Sequence, residues 1–247
     1  MIERERQIAM KILVIPDVHL KPWIFDGAEN VLQKKKVDNI VCLMDIPDDW
    51  WQERNIVLYV ETYDRAIAFA KNHPDSLWCY GNHDLSYIWH AMESGYSYYA
   101  EDTVYEKLKE LRRILEDRER LKYIHRIDNV LFMHGGLTDE FVKAFSKPSH
   151  YNDVDKVISD INSFGKERIW QNYSPVWLRP QYGGFRMYKP RKLLQVVGHT
   201  PVKGIKRAGN VISCDTFSTY RNGDPVGTRE YLLLDTGTWT YEGVALK

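Results

Sequence analysis

The sequence predicts an α/β fold, and three observations predict it. Short, wholly apolar runs alternate with segments of helical periodicity as far as Tyr80; each run stops at a polar or titratable residue; and closely spaced short strands take over from Lys122. Wholly apolar runs suit strands covered on both faces, and strands joined through helices run parallel, bringing their carboxyl ends to one edge of a sheet. Side chains just beyond successive strands are therefore expected to meet there.

In chain order, Ile12-Leu13-Val14-Ile15 is the first such run and gives way to Pro16-Asp17-Val18-His19. A helical segment at residues 26–36 leads to a second run, Asn39 to Met44, which stops at Asp45. Apolar positions at Ile56, Tyr59, Val60, Tyr63, Ile67 and Ala70 have helical spacing, and His73-Pro74 ends that segment. The third strand, Leu77 to Tyr80, delivers Gly81-Asn82-His83-Asp84 to the same edge. Residues 85–121 lack strand character. Val104, Leu108, Leu111 and Leu115 recur there at helical spacing amid dense mixed charge, so a helical insertion with a mostly solvated face is expected.

Beyond it, residues 123–125 and Val130 to Met133 read as strands, the second ending at His134-Gly135-Gly136. A helical segment at 153–170 precedes residues 174–191, whose Pro, Gly, Arg and aromatic content predicts an irregular loop able to carry function. Leu194 to Val197 is a further buried strand, ending at Gly198-His199-Thr200-Pro201. Residues 211–214, 231–234 and 238–241 are expected as closing antiparallel strands. No repeat or clear linker divides the chain, which suits one domain spanning residues 1–247.

Composition bounds the rest. With 44% hydrophobic and 28% charged residues the chain is globular, and no apolar run approaches the roughly 20 residues needed to cross a bilayer. Residues 1–6 carry charge of both signs and lack the pattern of a secretory signal, so a cytoplasmic location and no membrane partner are expected. The 34 basic and 34 acidic residues balance, which argues against an extended nucleic-acid groove. Cys42, Cys79 and Cys214 lie in apolar runs without CxxC spacing, as buried free thiols do. Oligomeric state has no signature here.

Five strand ends thus present Asp17 and His19; Asp45 and Asp48; Asn82 and His83; His134; and His199. Mixed imidazole and carboxylate donors suit manganese, iron, zinc or nickel better than magnesium or calcium. The set is large enough for two ions, which together hold a phosphoryl group and lower the pKa of a shared water.

The order Asp-x-His, Asp-x-x-Asp, Gly-Asn-His-Asp, His-Gly-Gly and Gly-His-Thr-Pro resembles the calcineurin-like metallophosphoesterase superfamily. The likeness is greatest to its phosphoprotein-phosphatase branch, which includes bacterial and phage protein phosphatases and symmetrical dinucleoside tetraphosphatases. It spans Asp17 to about Asp215. The resemblance implies a β-sandwich of two mixed sheets flanked by helices, and a hydrolase of phosphate monoesters carrying two divalent transition-metal ions, manganese foremost. It implies one metal on Asp17, His19 and Asp45, and a second on Asp45 as bridge with Asn82, His134 and His199. His83 is then the proton donor to the leaving oxygen and Asp48 its partner, while Arg179, in Val176-Trp177-Leu178-Arg179, grips the substrate phosphate.

Departures from the family pattern are equally visible. Leu20 and Met44 stand where glycines are usual, and Asp49 and Tyr80 where phosphatases of this branch carry arginines. Pro201 replaces the second histidine of the nuclease and cyclic-phosphodiesterase branches. Two missing arginines leave nucleotides, dinucleoside polyphosphates or phosphodiesters as alternative substrates, and a non-catalytic scaffold is the alternative of another class. Trp50 and Trp51 are read either as a wall able to stack on an aromatic group or as core. Cys214-Asp215-Thr216 and His73, His90, His125 and His150 are read as structural or surface, and Asp84 as a cap or orienting group.

Overall fold

The computed structural model describes residues 9–116 and 118–245, so the expectation concerning residues 1–6 lies outside them. Eight elements follow one another in the first half: β1 (Lys11–Ile15), α1 (Trp23–Lys34), β2 (Asn39–Cys42), α2 (Ile56–Asn72), β3 (Leu77–Cys79), α3 (Asn82–Ile88), α4 (Glu101–Glu116) and β4 (Leu121–Lys122). The second half holds β5 (Ile124–Ile127), β6 (Val130–Met133), α5 (Asp139–Phe145), α6 (Val154–Asn162), α7 (Lys166–Ile169), β7 (Leu194–Val197), β8 (Lys206–Ala208), β9 (Val211–Ser213), β10 (Glu230–Asp235) and β11 (Tyr241–Ala245).

The period of two along each strand sorts side chains into layers. Ile12 and Val14 of β1, Val41 of β2, Phe132 of β6, Val196 of β7 and Leu232 of β10 face inward and share one buried cluster between two sheets. Each such side chain contributes about 1.5–3 kcal/mol by leaving water. Their neighbours point outward: Leu13 and Ile15 meet α1, α2 and α4, whereas Leu131 and Met133 meet α5 and α6. The result is a β-sandwich of two mixed sheets flanked by helices, with strand orders β11-β10-β1-β2-β3-β4 and β5-β6-β7-β9-β8. Strands β1 to β4 are parallel, as are β6, β7 and β9.

Within residues 85–121 the helical periodicity is real over α4, whose Val104, Leu108, Leu111 and Leu115 are buried against the helical layer on the first sheet. Two expectations are corrected. Strand β9 is not antiparallel to its inner neighbour: it pairs parallel with β7, because residues 198–205 cross over before the β8–β9 hairpin returns the chain. The last strand begins at Tyr241 rather than at residue 238, because the Asp235 carboxylate accepts from the N–H groups of Gly237 and Thr238 and locks a turn there. Strands β4 and β8 were not expected from the pattern, being two and three residues long and without buried side chains.

One buried polar group on a strand ties the second sheet to the site. Gln195 of β7 donates to Leu137 O and accepts from Leu137 N, both at 2.9 Å, fixing the segment that follows His134.

Candidate active site

The pairing of β1 with β2 continues past both strand ends. Val18, His19 and Leu20 donate their N–H groups to Met44 O, Asp45 O and Ile46 O at 2.8–3.0 Å. This register forces His19, Leu20, Met44 and Asp45 to φ values of 42°, 55°, 54° and 48°, a left-handed region costly for side-chain-bearing residues. At two of these positions, Leu20 and Met44, the resembled pattern has glycine, the residue that adopts this region at no steric cost. Here a carboxylate compensates: Asp84, fully buried, accepts from Asp45 N (2.9 Å), Ile46 N (3.2 Å) and Gly81 N (3.0 Å). Asp84 therefore holds the turn that carries Asp45, and Gly81 is required because a Cβ there would collide with the Asp45 carboxylate.

Tautomers follow from backbone partners. His134 Nδ1 lies 3.1 Å from Leu43 O and His19 Nδ1 lies 3.0 Å from Asp48 O, so both rings donate to carbonyls through Nδ1 and present Nε2 inward. His134 Nε2 then faces Asn82 Oδ1 at 3.0 Å and Asp45 Oδ2 at 3.1 Å. The Asn82 amide is oriented by Glu93, whose two oxygens accept from Nδ2 at 2.7 and 2.8 Å. Three lone pairs thus point at one buried spot, an arrangement that needs a proton or a cation between them. Asp17 Oδ1 and His199 Nε2 are likewise buried without a partner.

Ligand-capable atoms gather within 4.8 Å of one another in two groups, His19, Asp45 and His83, and Asp45, His134 and His199. Asp45 is common to both. The residues fit a pair of transition-metal ions bridged by one carboxylate, with imidazole and carboxylate donors of the right kind. Asp17 stands outside both groups. Its Oδ2 accepts from His199 N at 2.8 Å and lies 3.8 Å from His134 Nδ1. His83 joins the group of His19, with ring centroids 5.2 Å apart.

Charge in this buried set is sharply divided. Burial lifts Asp17, and Asp215 and Asp45 lift it further, well above the usual carboxylate range. Burial also works to raise Asp45, but the imidazoles of His134 and His83 overcome it and hold Asp45 low. Burial works against His134, yet the Asp45 and Asp17 carboxylates raise it to about 9. His199 is pushed well down by burial and by neighbouring His134 and Arg179.

His83 Nδ1 sits 2.9 Å from Asp48 Oδ2 and 3.6 Å from Glu93 Oε1. The other Asp48 oxygen accepts from Tyr59 OH (2.8 Å) and Tyr87 OH (2.6 Å), which fixes the carboxylate. Burial opposes protonation of His83, but Glu93, Asp45 and Asp48 together raise it well above the ordinary histidine value. Arg179 donates through Nη1 to His199 O (2.7 Å) and Thr200 Oγ1 (3.2 Å) and lines the cleft over the ligand groups. That cleft holds about 650 Å³. Arg186, Lys189 and Arg191, the other cations of the 174–191 loop, do not line it.

At the position of the missing arginine, Asp49 pairs with buried Lys21 at 2.8 Å and accepts from Thr219 Oγ1. Tyr80, at the other, packs on Tyr123. Trp50 and Trp51 are 41% and 73% exposed and line the cleft, so the core alternative is overturned for both. Asp215, read as structural, is held by Ser218 at 2.9 Å and also lines the cleft. Sequence reading missed Glu93 altogether, since a lone glutamate eleven residues past Asn82 belongs to no motif.

With this geometry in view, comparison with known proteins is decisive on family. The calcineurin-like phosphoesterase profile matches residues 10–226. The chain belongs to that family. Among solved structures it is similar to a cold-active protein-tyrosine phosphatase from a psychrophilic Shewanella, at 18% identity and TM-score 0.58 over 95% of this chain and 80% of that one. A metallophosphoesterase from Sphaerobacter thermophilus shares 18% identity at TM-score 0.43, over 97% of this chain and 88% of that one. No curated protein matches. Among the described residues, no helix is long and apolar enough to cross a membrane.

Proposed function

We propose that this phosphoesterase-family chain is a two-metal-dependent hydrolase of phosphate monoesters. One observation carries the reading: Asp45 is shared by two ligand groups, and His83, paired with Asp48, belongs to one of them. Two bound divalent ions, manganese foremost, would neutralise the phosphoryl oxygens and lower the pKa of the attacking water. Asp17, His19 and Asp45 would hold one, and Asp45, Asn82, His134 and His199 the other.

The chain's own groups supply the rest. A water oxygen bonds to phosphorus as the ester P–O bond opposite it breaks, and the departing oxygen takes the proton from His83 Nε2. Asp48 accepts from Nδ1 and keeps Nε2 directed to the cleft. Arg179 has Nε and Nη2 without hydrogen bonds among the described residues, and these donors grip the phosphate. A cytoplasmic site of action accords with the three buried, unpaired cysteines. The Shewanella relative, a protein-tyrosine phosphatase by its description, supports a monoester.

Metal-reconstituted protein is expected to hydrolyse p-nitrophenyl phosphate faster than its bis ester. Hydrolysis of neither, or a preference for the bis ester, would defeat the proposal.

A further inference from the structure

The cleft has an aromatic wall that phosphate chemistry does not require. Trp50 and Trp51 follow Asp48 and Asp49 directly, yet neither is buried. Each indole is instead pinned at its polar edge: Trp50 Nε1 donates to Thr219 O at 2.8 Å and Trp51 Nε1 to Arg221 O at 2.7 Å. The Arg221 guanidinium lies over the Trp50 ring, 4.9 Å from its centre. Asp49, fixed by Lys21, accepts from both Trp50 N and Thr219 Oγ1, so the loop after β2 and the loop after β9 are clamped together behind the indoles. Trp51 is held at φ 63°, a conformation that bulky residues rarely adopt. A tryptophan serving only to brace two loops has no need to leave most of its surface in water, as Trp51 does at 73%, whereas a rigid, exposed ring face is a preorganised stacking partner.

We propose that Trp50 and Trp51, with Arg221, form a subsite that selects phosphate esters whose leaving group carries a planar aromatic ring. The inference rests on the phosphoesterase reading for its reacting end, because the same cleft contains His83, the proposed donor to the leaving oxygen. A nucleobase and a phenol ring share the required chemistry. The wall lines the same cleft as His83, next to Asp49, which stands where an arginine is usual in phosphatases of the resembled branch.

The test compares kcat/KM of wild type, W51A and W51F on phenyl phosphate, adenosine 5′-monophosphate and glycerol 2-phosphate. Taking the variant-to-wild-type ratio on each substrate cancels intrinsic leaving-group reactivity. In W51A the selectivity for an aromatic ester over glycerol 2-phosphate should fall about 10-fold, as loss of one stacking face implies, with W51F retaining most of it. A fall confined to the nucleotide identifies the ring as a nucleobase, and one confined to phenyl phosphate identifies it as a phenol. Selectivity unchanged in both arms overturns the subsite, even if all three rates drop. Should wild type hydrolyse none of the three, calorimetric binding of phenyl phosphate and the nucleotide still reads the wall. Weaker binding by W51A then supports the subsite while the hydrolytic reading fails; equal binding, or none by wild type, overturns it.

Discussion

His125 and His134 lie on adjacent strands of one sheet, β5 and β6, and both are buried, yet their protonation is driven in opposite directions. His125 is pushed down to about 4 by burial, its Nε2 donating to the carbonyls of Trp78 and Arg120 at 3.0 Å each. Burial works on His134 in the same sense, but Asp45 and Asp17 outweigh it and bring the ring to about 9. Burial alone therefore does not mark a functional histidine; carboxylates that accompany it do. One ring is a satisfied structural donor to two carbonyls, the other faces a carboxylate that favours a positive charge on it.

Removing the carboxylate common to both ligand groups tests that contrast most severely. Asp45→Asn preserves volume but not charge, and is expected to abolish binding of at least one metal and to reduce kcat/KM on the order of 10³-fold. Metal content by elemental analysis checks the first outcome and steady-state kinetics the second. Retention of both ions would mean that Asp45 is not the bridge. Next in size is His83→Gln. Metal content should stay at the wild-type level while kcat falls about 10²–10³-fold on an alkyl ester, and less on p-nitrophenyl phosphate, whose leaving group needs no proton. Equal losses on the two substrates would remove His83 from the proton-donor role.

The structural histidine makes its own prediction, in stability rather than rate. Its folded pKa of about 4 lies below the unfolded value of about 6.5, so the unfolded chain binds the extra proton between those pH values. His125 thus contributes stability that is fully present above pH ~6.5 and is lost as pH falls toward 4, on the order of 3 kcal/mol in all. Urea unfolding in EDTA at pH 7 and 4.5 should show wild type losing more stability than His125→Gln, which keeps a donor but cannot charge. Parallel losses would place the titration elsewhere.

What the sequence disclosed, and what it withheld, follows from range. Strand ends are local: an apolar run stopping at Asp17, Asp45, Asn82 or His134 is visible in a few residues, and parallel topology brings those ends together. The family resemblance supplied the order of the motifs and the pairing of His83 with Asp48. Groups that act across loops left no local trace. Tyr59 reads as one more apolar position on α2, yet its hydroxyl fixes Asp48, and Lys21 belongs to no motif, yet it is buried on Asp49. The β9 direction was also illegible, because a three-residue strand carries the same pattern whether it pairs parallel or antiparallel.

Glu93 gives the mildest test of how far the polar cluster depends on support from outside its motifs. Its carboxylate uses both oxygens on one amide nitrogen, so Asn82 cannot turn over without losing two charge-assisted bonds, and Oδ1 is kept on the side of His134 and Asp45. Substitution of such a supporting group commonly costs 10–100-fold in metal affinity. Glu93→Ala, which removes neither a proposed metal ligand nor a proposed substrate contact, is expected at the lower end, about 10-fold weaker for one ion, with activity recovering as metal is raised. Glu93→Gln should lie between it and wild type, since one oxygen remains to accept from Nδ2. Calorimetric titration with Mn²⁺ separates the outcomes: if Glu93→Ala binds both ions as wild type does, the amide is held by the metal and not by the carboxylate behind it.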